Sequence, residues 1–182
     1  MKKNLLIPIL TIFLCLFMVV PVLAEGEDAE NGFADEYYRL LDMASLLSDE
    51  EVDSLTSRLD ELSLRQKMDV VIATTDTLDG KSVVDYADDL YDYCSFGYGA
   101  NRDGLILVIS MEDNDWYIST CGYGITVFTD AGIEYIGKQI VPYLSDSDFA
   151  GAFATYITLC DEFITQAKTD KPYDIGSLPR EP

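Results

Sequence analysis

The chain of 182 residues carries 33 acidic side chains, 12 basic side chains and no histidine, so its formal net charge is −21 at pH 7. The lack of histidine excludes Ser-His-Asp and Cys-His catalysis, phosphohistidine chemistry and the usual zinc-protease ligand sets. The negative charge disfavours a nucleic-acid partner. Hydrophobic residues make up 48% of the chain, enough to argue against disorder. We expect a folded acidic domain with no nucleic-acid partner and no organic cofactor.

The N-terminus has the pattern of a secretory signal peptide over residues 1–24. Lys2 and Lys3 precede an apolar stretch at 5–20, and Val-Leu-Ala at 22–24 is followed at once by acidic residues. Cleavage removes two lysines and no acid, so the formal net charge moves to −23. We expect an exported, extracytoplasmic or secreted protein. The alternative is an uncleaved N-terminal membrane anchor, because residues 5–23 could just cross a bilayer.

The rest of the chain divides into three parts. Residues 25–36 form an acidic lead-in without periodicity, and residues 37–169 carry the hydrophobic patterns of a single domain. Residues 170–182 contain three prolines and little pattern, which is typical of a linker. We therefore expect one domain followed by a tail, and the natural chain could continue beyond it.

The first predicted helix begins with a capping box. Ser48 can accept a hydrogen bond from the amide of Glu51, whose side chain can reach back to Ser48. Apolar residues at helical spacing then continue to about Gln66. Residues 69–75 are a β-branched run bounded by polar residues, which predicts a buried strand.

The middle of the chain predicts a helix and a hairpin. Ser82 can cap the helix, and the glycines of residues 97–99 end it. Residues 104–110 and 116–121 are apolar or alternating runs separated by an acidic turn. They predict two antiparallel strands.

Two further helices close the domain. Thr129 or Asp130 can cap the first, which should end at Pro142. Ser147 or Asp148 can cap the second, which carries a long apolar stripe at helical spacing. The stripe is most simply part of the core.

The order helix, strand, helix, strand, strand, helix, helix predicts an α/β fold. A strand-helix-strand unit crosses over right-handed, so the first two strands should be parallel and the third antiparallel to its hairpin partner. We expect a small mixed β-sheet flanked by helices on both faces.

Three cysteines follow the leader, Cys94, Cys121 and Cys160. Their spacing matches no metal motif. They are either small buried hydrophobic residues or include one disulfide and one free thiol. The sequence leaves the disulfide state open.

Hairpin geometry brings Asp103 toward a glycine loop. A turn centred on Asp113 and Asn114 pairs residues whose numbers sum to about 227, so Asp103 should lie opposite Gly124. The connection from Gly124 to the next helix is short, so the helix near Asp130 should begin at the same end of the sheet.

Oxygen-bearing residues gather at that end. Asn101, Asp103, Asp130 and Glu134 could reach one hard cation such as calcium. Exposed loop amides and the helix N-terminus would favour an anion such as phosphate, and a cation beside it could support phosphoryl hydrolysis. The plainer alternative is that the glycines only form a turn and the aspartates only end a strand and cap a helix.

Three segments together resemble the TPM domain family. Residues 41–48 are similar to the family's entry motif of an aspartate, small residues, a Leu-Leu pair and a helix cap. Residues 102–107 resemble its Asp-Asn-Gly strand start, and residues 121–131 resemble its Gly-x-Gly and Leu-Thr-Asp-Ala segment. The resemblance covers about residues 37–168. The family includes a thylakoid acid phosphatase of plants and many exported bacterial proteins.

The resemblance implies a three-layer α/β/α sandwich, an acidic site that binds calcium in some members, acid phosphatase activity in the plant protein, and roles in assembling or repairing membrane complexes. Carried over by position, Asp42, Asp103 and Asp130 are the implied metal ligands. Gly122 and Gly124 are the implied residues of an anion-binding loop. The expected partner is an envelope or membrane protein complex of unknown identity.

Arg102 departs from the family pattern, because it stands where the family often has an aspartate. It could weaken a metal site, or it could bind a phosphate oxygen bidentately. Two functions follow. The first is a calcium-binding interaction and assembly module at the cell envelope. The alternative is a metal-assisted acid phosphatase acting on phosphomonoesters, with Asp103, Asp130 and Arg102 as catalytic candidates. We favour the module because the sequence shows no nucleophile or general base beyond carboxylates.

Overall fold

The computed structural model describes residues 38–180. Within that range the chain forms four strands and five helices. In chain order they are β1 (Leu40–Asp42), α1 (Asp49–Gln66), β2 (Asp69–Thr75), α2 (Val83–Tyr93), β3 (Gly104–Ser110), β4 (Asp115–Cys121), α3 (Gly124–Val127), α4 (Asp130–Ser145) and α5 (Phe149–Thr169). The predicted leader and the acidic lead-in lie outside the described residues.

The strands form one mixed sheet in the order β1-β2-β3-β4. β1, β2 and β3 are parallel, and β4 returns antiparallel to β3. The predicted parallel pair of strands and the hairpin are therefore confirmed. The prediction lacked β1, because three residues are too few to show strand alternation. That strand exists through pairing with distant residues, such as Leu40 with Ile72.

Helices cover both faces of the sheet, which confirms the three-layer arrangement. Neighbouring residues of a strand point to opposite faces. Val70 and Ile72 pack with the residues of α1, α4 and α5, whereas Val71 and Ala73 pack with those of α2. The two hydrophobic cores therefore lie on either side of a sheet whose β2 and β3 residues are all buried.

The helix starts follow the predicted caps. Ser48 and Glu51 form the reciprocal capping box of α1. Ser82, Thr129 and Asp148 each accept a hydrogen bond from the backbone amide three residues later. These side chains satisfy amides that have no partner within the first turn of a helix.

α4 does not end at Pro142, and this part of the prediction is wrong. The helix continues to Ser145. Pro142 lacks the amide that would donate to the carbonyl four residues earlier, so the helix loses one hydrogen bond at this point. One lost bond in the last turns does not end the helix. The final turn is held by other bonds, since Asp146 N donates to Pro142 O at 3.1 Å and Ser145 Oγ donates to Val141 O at 2.9 Å.

The hairpin register also differs from the prediction. Gly104 pairs with Cys121 and Ser110 pairs with Asp115. Asp103 therefore lies opposite Gly122 and not Gly124. The cause is the turn, because Asp115 belongs to the strand and the connection consists of residues 111–114.

The segment after α5 packs back onto the domain as far as the described residues extend. The Tyr173 ring contacts Phe163 edge-on with 4.8 Å between ring centroids, and Thr129 Oγ1 donates to Tyr173 O at 2.8 Å. Leu178 also packs against the core. The local composition does not reveal this contact, because it depends on partners far apart in the chain.

Cys94, Cys121 and Cys160 are free thiols. Cys160 is fully buried, and burial raises the pKa of its thiol. Among residues 38–180, no helix is both long and apolar enough to span a membrane.

Candidate functional site

Asp103 stands at the amino end of β3, where the backbone is held on two sides. Its carbonyl accepts hydrogen bonds from Asp69 N and Tyr98 N, each at 2.9 Å, and its own amide donates to Tyr98 O at 3.0 Å. The loop before β3 is therefore joined both to β2 and to the segment after α2. This joint fixes the direction in which the Asp103 side chain leaves the sheet.

The Asp103 carboxylate holds the glycine loop that follows β4. Its Oδ1 accepts a hydrogen bond from Tyr123 N at 2.6 Å. Gly122 has φ of +56°, and a Cβ at this position would lie 2.3 Å from Asp103 Oδ1 and 2.6 Å from Asn101 O. Only glycine permits this approach. Asp103 Oδ1 and Asn101 O therefore both pack against the backbone of Gly122.

Gly124 has a different role from Gly122. It is buried at the start of α3, and an added Cβ would lie 2.2 Å from Gly104 O. Gly124 thus lets the chain pack closely against the first residue of β3. The Tyr123 amide of the same loop is already bound to Asp103, so this predicted anion site holds a carboxylate of the chain itself.

Asp130 is exposed in the first turn of α4, directly after the cap Thr129. No hydrogen bond or ion pair joins its carboxylate to another of residues 38–180. Glu134 lies one turn later and pairs with Lys138 Nζ at 2.6 Å, which lowers the pKa of the Glu134 carboxyl. The structure therefore gives Glu134 a partner within its own helix.

Asp42 lies at the opposite end of the sheet from Asp103. It pairs with Thr74 near the carboxyl end of β2, whereas Asp103 directly precedes Gly104, which pairs with Asp69 at the amino end. Five residues of strand separate the two levels, about 16 Å at the usual rise per residue. Asp42 and Asp103 cannot bind the same ion.

The Asp42 carboxylate orders the loop that leads into α1. It accepts hydrogen bonds from Leu46 N at 3.1 Å, Leu47 N at 3.0 Å and Thr74 Oγ1 at 2.6 Å. Three donors on one carboxylate explain why the entry motif requires an aspartate here. Within residues 38–180 no three cysteine, aspartate or glutamate side chains form a group that could hold a metal. The expected three-aspartate set is therefore not brought together.

Arg102 closes the end of α2. Its guanidinium donates to Phe96 O at 2.9 Å, to Tyr91 O at 2.8 Å and to Asp92 Oδ1 at 2.7 Å. It also lies over the Tyr91 ring, 5.2 Å from the centroid. Carbonyls at a helix end attract cations. Arg102 is thus engaged in holding α2.

A buried ion pair that was not predicted from the sequence lies near this end of the sheet. Arg39 Nε donates to Asp69 Oδ1 at 2.6 Å, with side chains only 7% and 5% exposed, and its NH1 group reaches Asp60 Oδ1 at 2.7 Å. Burial acts to lower the pKa of Arg39, but the two carboxylates outweigh it and the net shift is upward. Gly97 N donates to the other Asp69 oxygen at 2.9 Å. An aspartate at the first position of an otherwise apolar strand was the available signal.

The surface next to the Asp103 loop is partly apolar. Tyr123 is 37% exposed and Ile125 is 64% exposed. The Tyr123 hydroxyl donates to Ala167 O at 3.4 Å, which links the loop to the end of α5. Tyr123 therefore stands on a loop that is held from both sides, and Ile125 follows it in α3.

A four-stranded mixed sheet between helical layers, with an aspartate and a glycine loop meeting at one sheet end, defines a small three-layer α/β domain. The chain belongs to the TPM domain family, whose model matches residues 40–163.

A curated bacterial protein is similar to this chain over most of this chain's length. The UPF0603 protein YdjH of Bacillus subtilis (strain 168) is 28% identical over 148 residues, which covers 81% of this chain and 55% of that protein. The chain thus spans about half the length of this curated relative.

Two solved structures show the same fold. The N-terminal domain of a protein from P. gingivalis matches with a TM-score of 0.63 and 17% identity, covering 75% of this chain and 88% of that chain. The BA42 protein of Bizionia argentinensis matches with a TM-score of 0.59 and 15% identity, covering 75% of this chain and 91% of that chain.

Proposed function

We propose that this chain is an exported interaction and assembly module at the cell envelope, and that calcium at the Asp103 loop stabilises its binding surface. The observation that carries the proposal is that Asp103 Oδ1 and Asn101 O lie side by side against Gly122. The expected partner is a membrane or envelope protein complex.

The donor set suits a hard cation. Calcium prefers carboxylate and backbone carbonyl oxygens and accepts water for the remaining ligands. Asp103 supplies a carboxylate and Asn101 a carbonyl, and both residues are accessible to solvent. Asp130 is a candidate further ligand, because α4 follows the same loop after one short helix. Asp42 has no part in this proposal, since it lies at the other end of the sheet.

The surface beside this loop suits a protein partner. Tyr123 and Ile125 present apolar area to solvent on a backbone that Asp103 holds. Aromatic residues are enriched where protein interfaces form. A cation on the Asp103 carboxylate would also reduce the local negative charge of a strongly acidic chain. Binding of calcium would thus favour approach of a partner to Tyr123 and Ile125.

Calcium titration by calorimetry tests the proposal on residues 25–182, the exported form expected from the sequence. We expect one weak site that is lost in Asp103→Asn, a change that keeps an acceptor for Tyr123 N. Asp42→Asn is the matched control, because it removes the same charge at the far end of the sheet. Asp130→Asn shows whether that residue is a ligand.

The titration has two outcomes that contradict the cation site. The absence of saturable heat up to about 10 mM calcium would contradict the cation site, because even the weakest extracellular calcium modules bind below this concentration. Equal affinity in the native chain and Asp103→Asn would place the ion elsewhere.

Phosphomonoester hydrolysis remains the alternative prediction. It needs a cation to bind phosphate, and Arg102 already donates to two carbonyls and to Asp92. This engagement favours the interaction module. Turnover of p-nitrophenyl phosphate that needs calcium and disappears in Asp103→Asn would instead support the phosphatase.

A further inference from the structure

The outer edge of β4 is open in the part of the chain that the structure describes. β4 pairs with β3 on one side and has no strand on the other. Its seven residues are mostly half-buried, while every residue of β3 is buried. A seven-residue edge is long enough to pair with another strand.

The direction of the hydrogen bonds identifies the free backbone groups. Met111 N donates to Thr75 O, and Asp103 O accepts from Asp69 N, so odd-numbered residues around β3 face β2. Backbone groups alternate along a strand. The even-numbered residues of β3 therefore face β4.

The register then assigns the groups of β4 itself. The even-numbered residues of β3 pair with odd-numbered residues of β4, as Gly104 does with Cys121. The intervening residues turn their amides and carbonyls away from the sheet. They are Trp116, Ile118 and Thr120.

This edge lacks the usual protection against pairing. Natural edge strands often carry proline or lysine, and β4, which reads Asp-Trp-Tyr-Ile-Ser-Thr-Cys, contains neither. Its composition also favours extended structure. The outward amide of Trp116 donates to Asp115 Oδ1 at 2.9 Å, but no hydrogen bond within residues 38–180 uses the outward amides of Ile118 and Thr120.

Acidic side chains surround the edge. Asp88 of α2 accepts a hydrogen bond from Ser119 Oγ, which places its carboxylate beside the middle of β4. Asp115 begins the strand, and Asp113 lies in the turn before it. The local charge therefore favours a basic strand.

The same charges disfavour two other occupants. A second copy of the chain brings another formal charge of −21 to the edge. The chain's own residues 25–37 contain six acidic side chains and no basic one. Neither complements the acidic residues around β4.

We propose that the outer edge of β4 binds an extended, basic peptide segment of a partner protein as a fifth strand of the sheet. The partner's backbone would pair with Ile118 and Thr120, and its lysine or arginine side chains would meet Asp88 and Asp115. The inference rests on the proposed function as an interaction module and specifies the chemistry of the partner.

Trp116 provides the signal for a direct test, because it is the single tryptophan of the chain. Its indole is half-buried and packs on Gly137 of α4. The probe is a capped peptide, Lys-Val-Lys-Val-Lys-Val-Lys, titrated into residues 25–182 while Trp116 emission is recorded. We expect a saturable shift in the emission.

Two modified probes separate strand pairing from charge attraction. The first peptide carries N-methyl groups on its odd-numbered residues and the second on its even-numbered residues. Both keep all the charges, but each has lost the amide donors along one edge of the extended peptide. One of the two methylated peptides loses the hydrogen bonds to the outer edge of β4, so it should bind about tenfold or more weakly than the unmodified peptide. Equal affinity of all three peptides would overturn the proposal.

Variants of the chain test the same edge. Thr120→Pro removes an outward amide without touching the bonds to β3, so binding should fall by about tenfold while the circular dichroism spectrum stays native. Thr120→Val keeps the amide and should bind as the native chain does. If Thr120→Pro fails to fold, the N-methyl peptides still decide.

Charge variants test the acidic surroundings. Asp88→Asn should weaken peptide binding by roughly two- to fivefold, whereas Asp53→Asn on α1 should not change it. Equal effects of the two variants would show nonspecific attraction and overturn the proposal. The Trp116 emission could also shift with protein concentration when no peptide is present. That result would show that a second copy of the chain occupies the β4 edge, and it would overturn the proposal of a basic peptide.

The calcium titration keeps the two proposals distinguishable. Calcium binding without peptide binding overturns only the β4 proposal. Peptide binding without calcium binding overturns only the cation site at Asp103.

Discussion

Asp103 and Gly122 depend on one another. The carboxylate accepts the Tyr123 amide only because no Cβ at residue 122 occupies the space between them. The glycine in turn needs a positive φ, which side chains disfavour. The conformation of the loop therefore depends on the Asp103 carboxylate and on the absence of a Cβ at Gly122.

Gly122→Ala should destabilise the fold far more than Gly99→Ala. Both glycines have positive φ, but an added Cβ meets nothing within 4 Å at Gly99 and meets Asp103 Oδ1 at 2.3 Å at Gly122. We expect about 1 kcal/mol for Gly99→Ala from backbone strain, and about 3 kcal/mol for Gly122→Ala after loss of the Asp103 hydrogen bond. Urea unfolding measures both, and equal losses would show that the Asp103 contact contributes little.

Single residues also show where sequence reasoning reached the site. Asp103 and Gly122 were singled out from the strand start and the glycine spacing, and the structure brings them into contact. Asp42 was placed in the same ligand set, but it orders the loop before α1 instead. Only the family resemblance implies Asp42 as a ligand, and the sequence does not reveal β1, so it does not show at which end of the sheet Asp42 lies.

At the scale of elements, a polar contact joins the last turn of α1 to the second half of α5. Arg65 donates to both oxygens of Asp161, at 2.9 and 3.1 Å, and Gln66 Nε2 donates to Asp161 Oδ1 at 2.6 Å. Arg65 is the largest cause of the lowered pKa of Asp161, burial opposes it and Gln66 adds to it. The contact fixes how α5 lies along α1.

Asp161→Asn should change the pH dependence of stability on the acid side. A lowered pKa in the folded state means that Asp161 contributes fully above its ordinary value of 3.8, and that this contribution is lost as pH falls through the folded pKa. The native chain should exceed the variant by up to about 1 kcal/mol at pH 6, and the difference should shrink toward pH 2.

Urea unfolding at pH 6, 4 and 2 measures this difference. Asp170→Asn is the control, because Asp170 ends the same helix and forms no ion pair within residues 38–180. A difference between the native chain and Asp161→Asn that stays constant down to pH 2 would contradict the assignment.

Helices and strands were predicted correctly where the interactions that form them join residues close in the chain. Ser48 and Glu51 form their capping box within one turn, and helical spacing alone marked α1 and α5. The end of α4 differs from the prediction by three residues and the start of β4 by one. Both depend on contacts that outweigh local preference, namely the bonds around Pro142 and the pairing of Asp115 with Ser110.

For the whole molecule, charge is the dominant feature. The chain carries a formal net charge of −21, yet it folds around two hydrophobic cores separated by the sheet. Repulsion among surface carboxylates opposes the compact state. Stability must therefore come mainly from apolar burial on both sides of β2 and β3.

Salt should stabilise this protein. At 0.5 M NaCl the screening length falls to about 4 Å, so repulsion among exposed carboxylates weakens. We expect the urea midpoint to be higher in 0.5 M than in 0.02 M NaCl. A variant with Asp53→Asn, Glu112→Gln and Asp146→Asn should gain less from salt, and an equal gain would argue against repulsion as the cause.

The sequence by itself determined the class of fold, the helix caps, the parallel pair of strands with its hairpin, and the meeting of Asp103 with a glycine loop. These follow from hydrophobic periodicity and from bonds between residues close in the chain. Tertiary structure alone decided the addition of β1, the exact register of the hairpin, the packing of Tyr173 and the burial of Arg39 with Asp69. Each of these depends on partners distant in sequence, whose contacts form only once the sheet and its two helical layers have assembled.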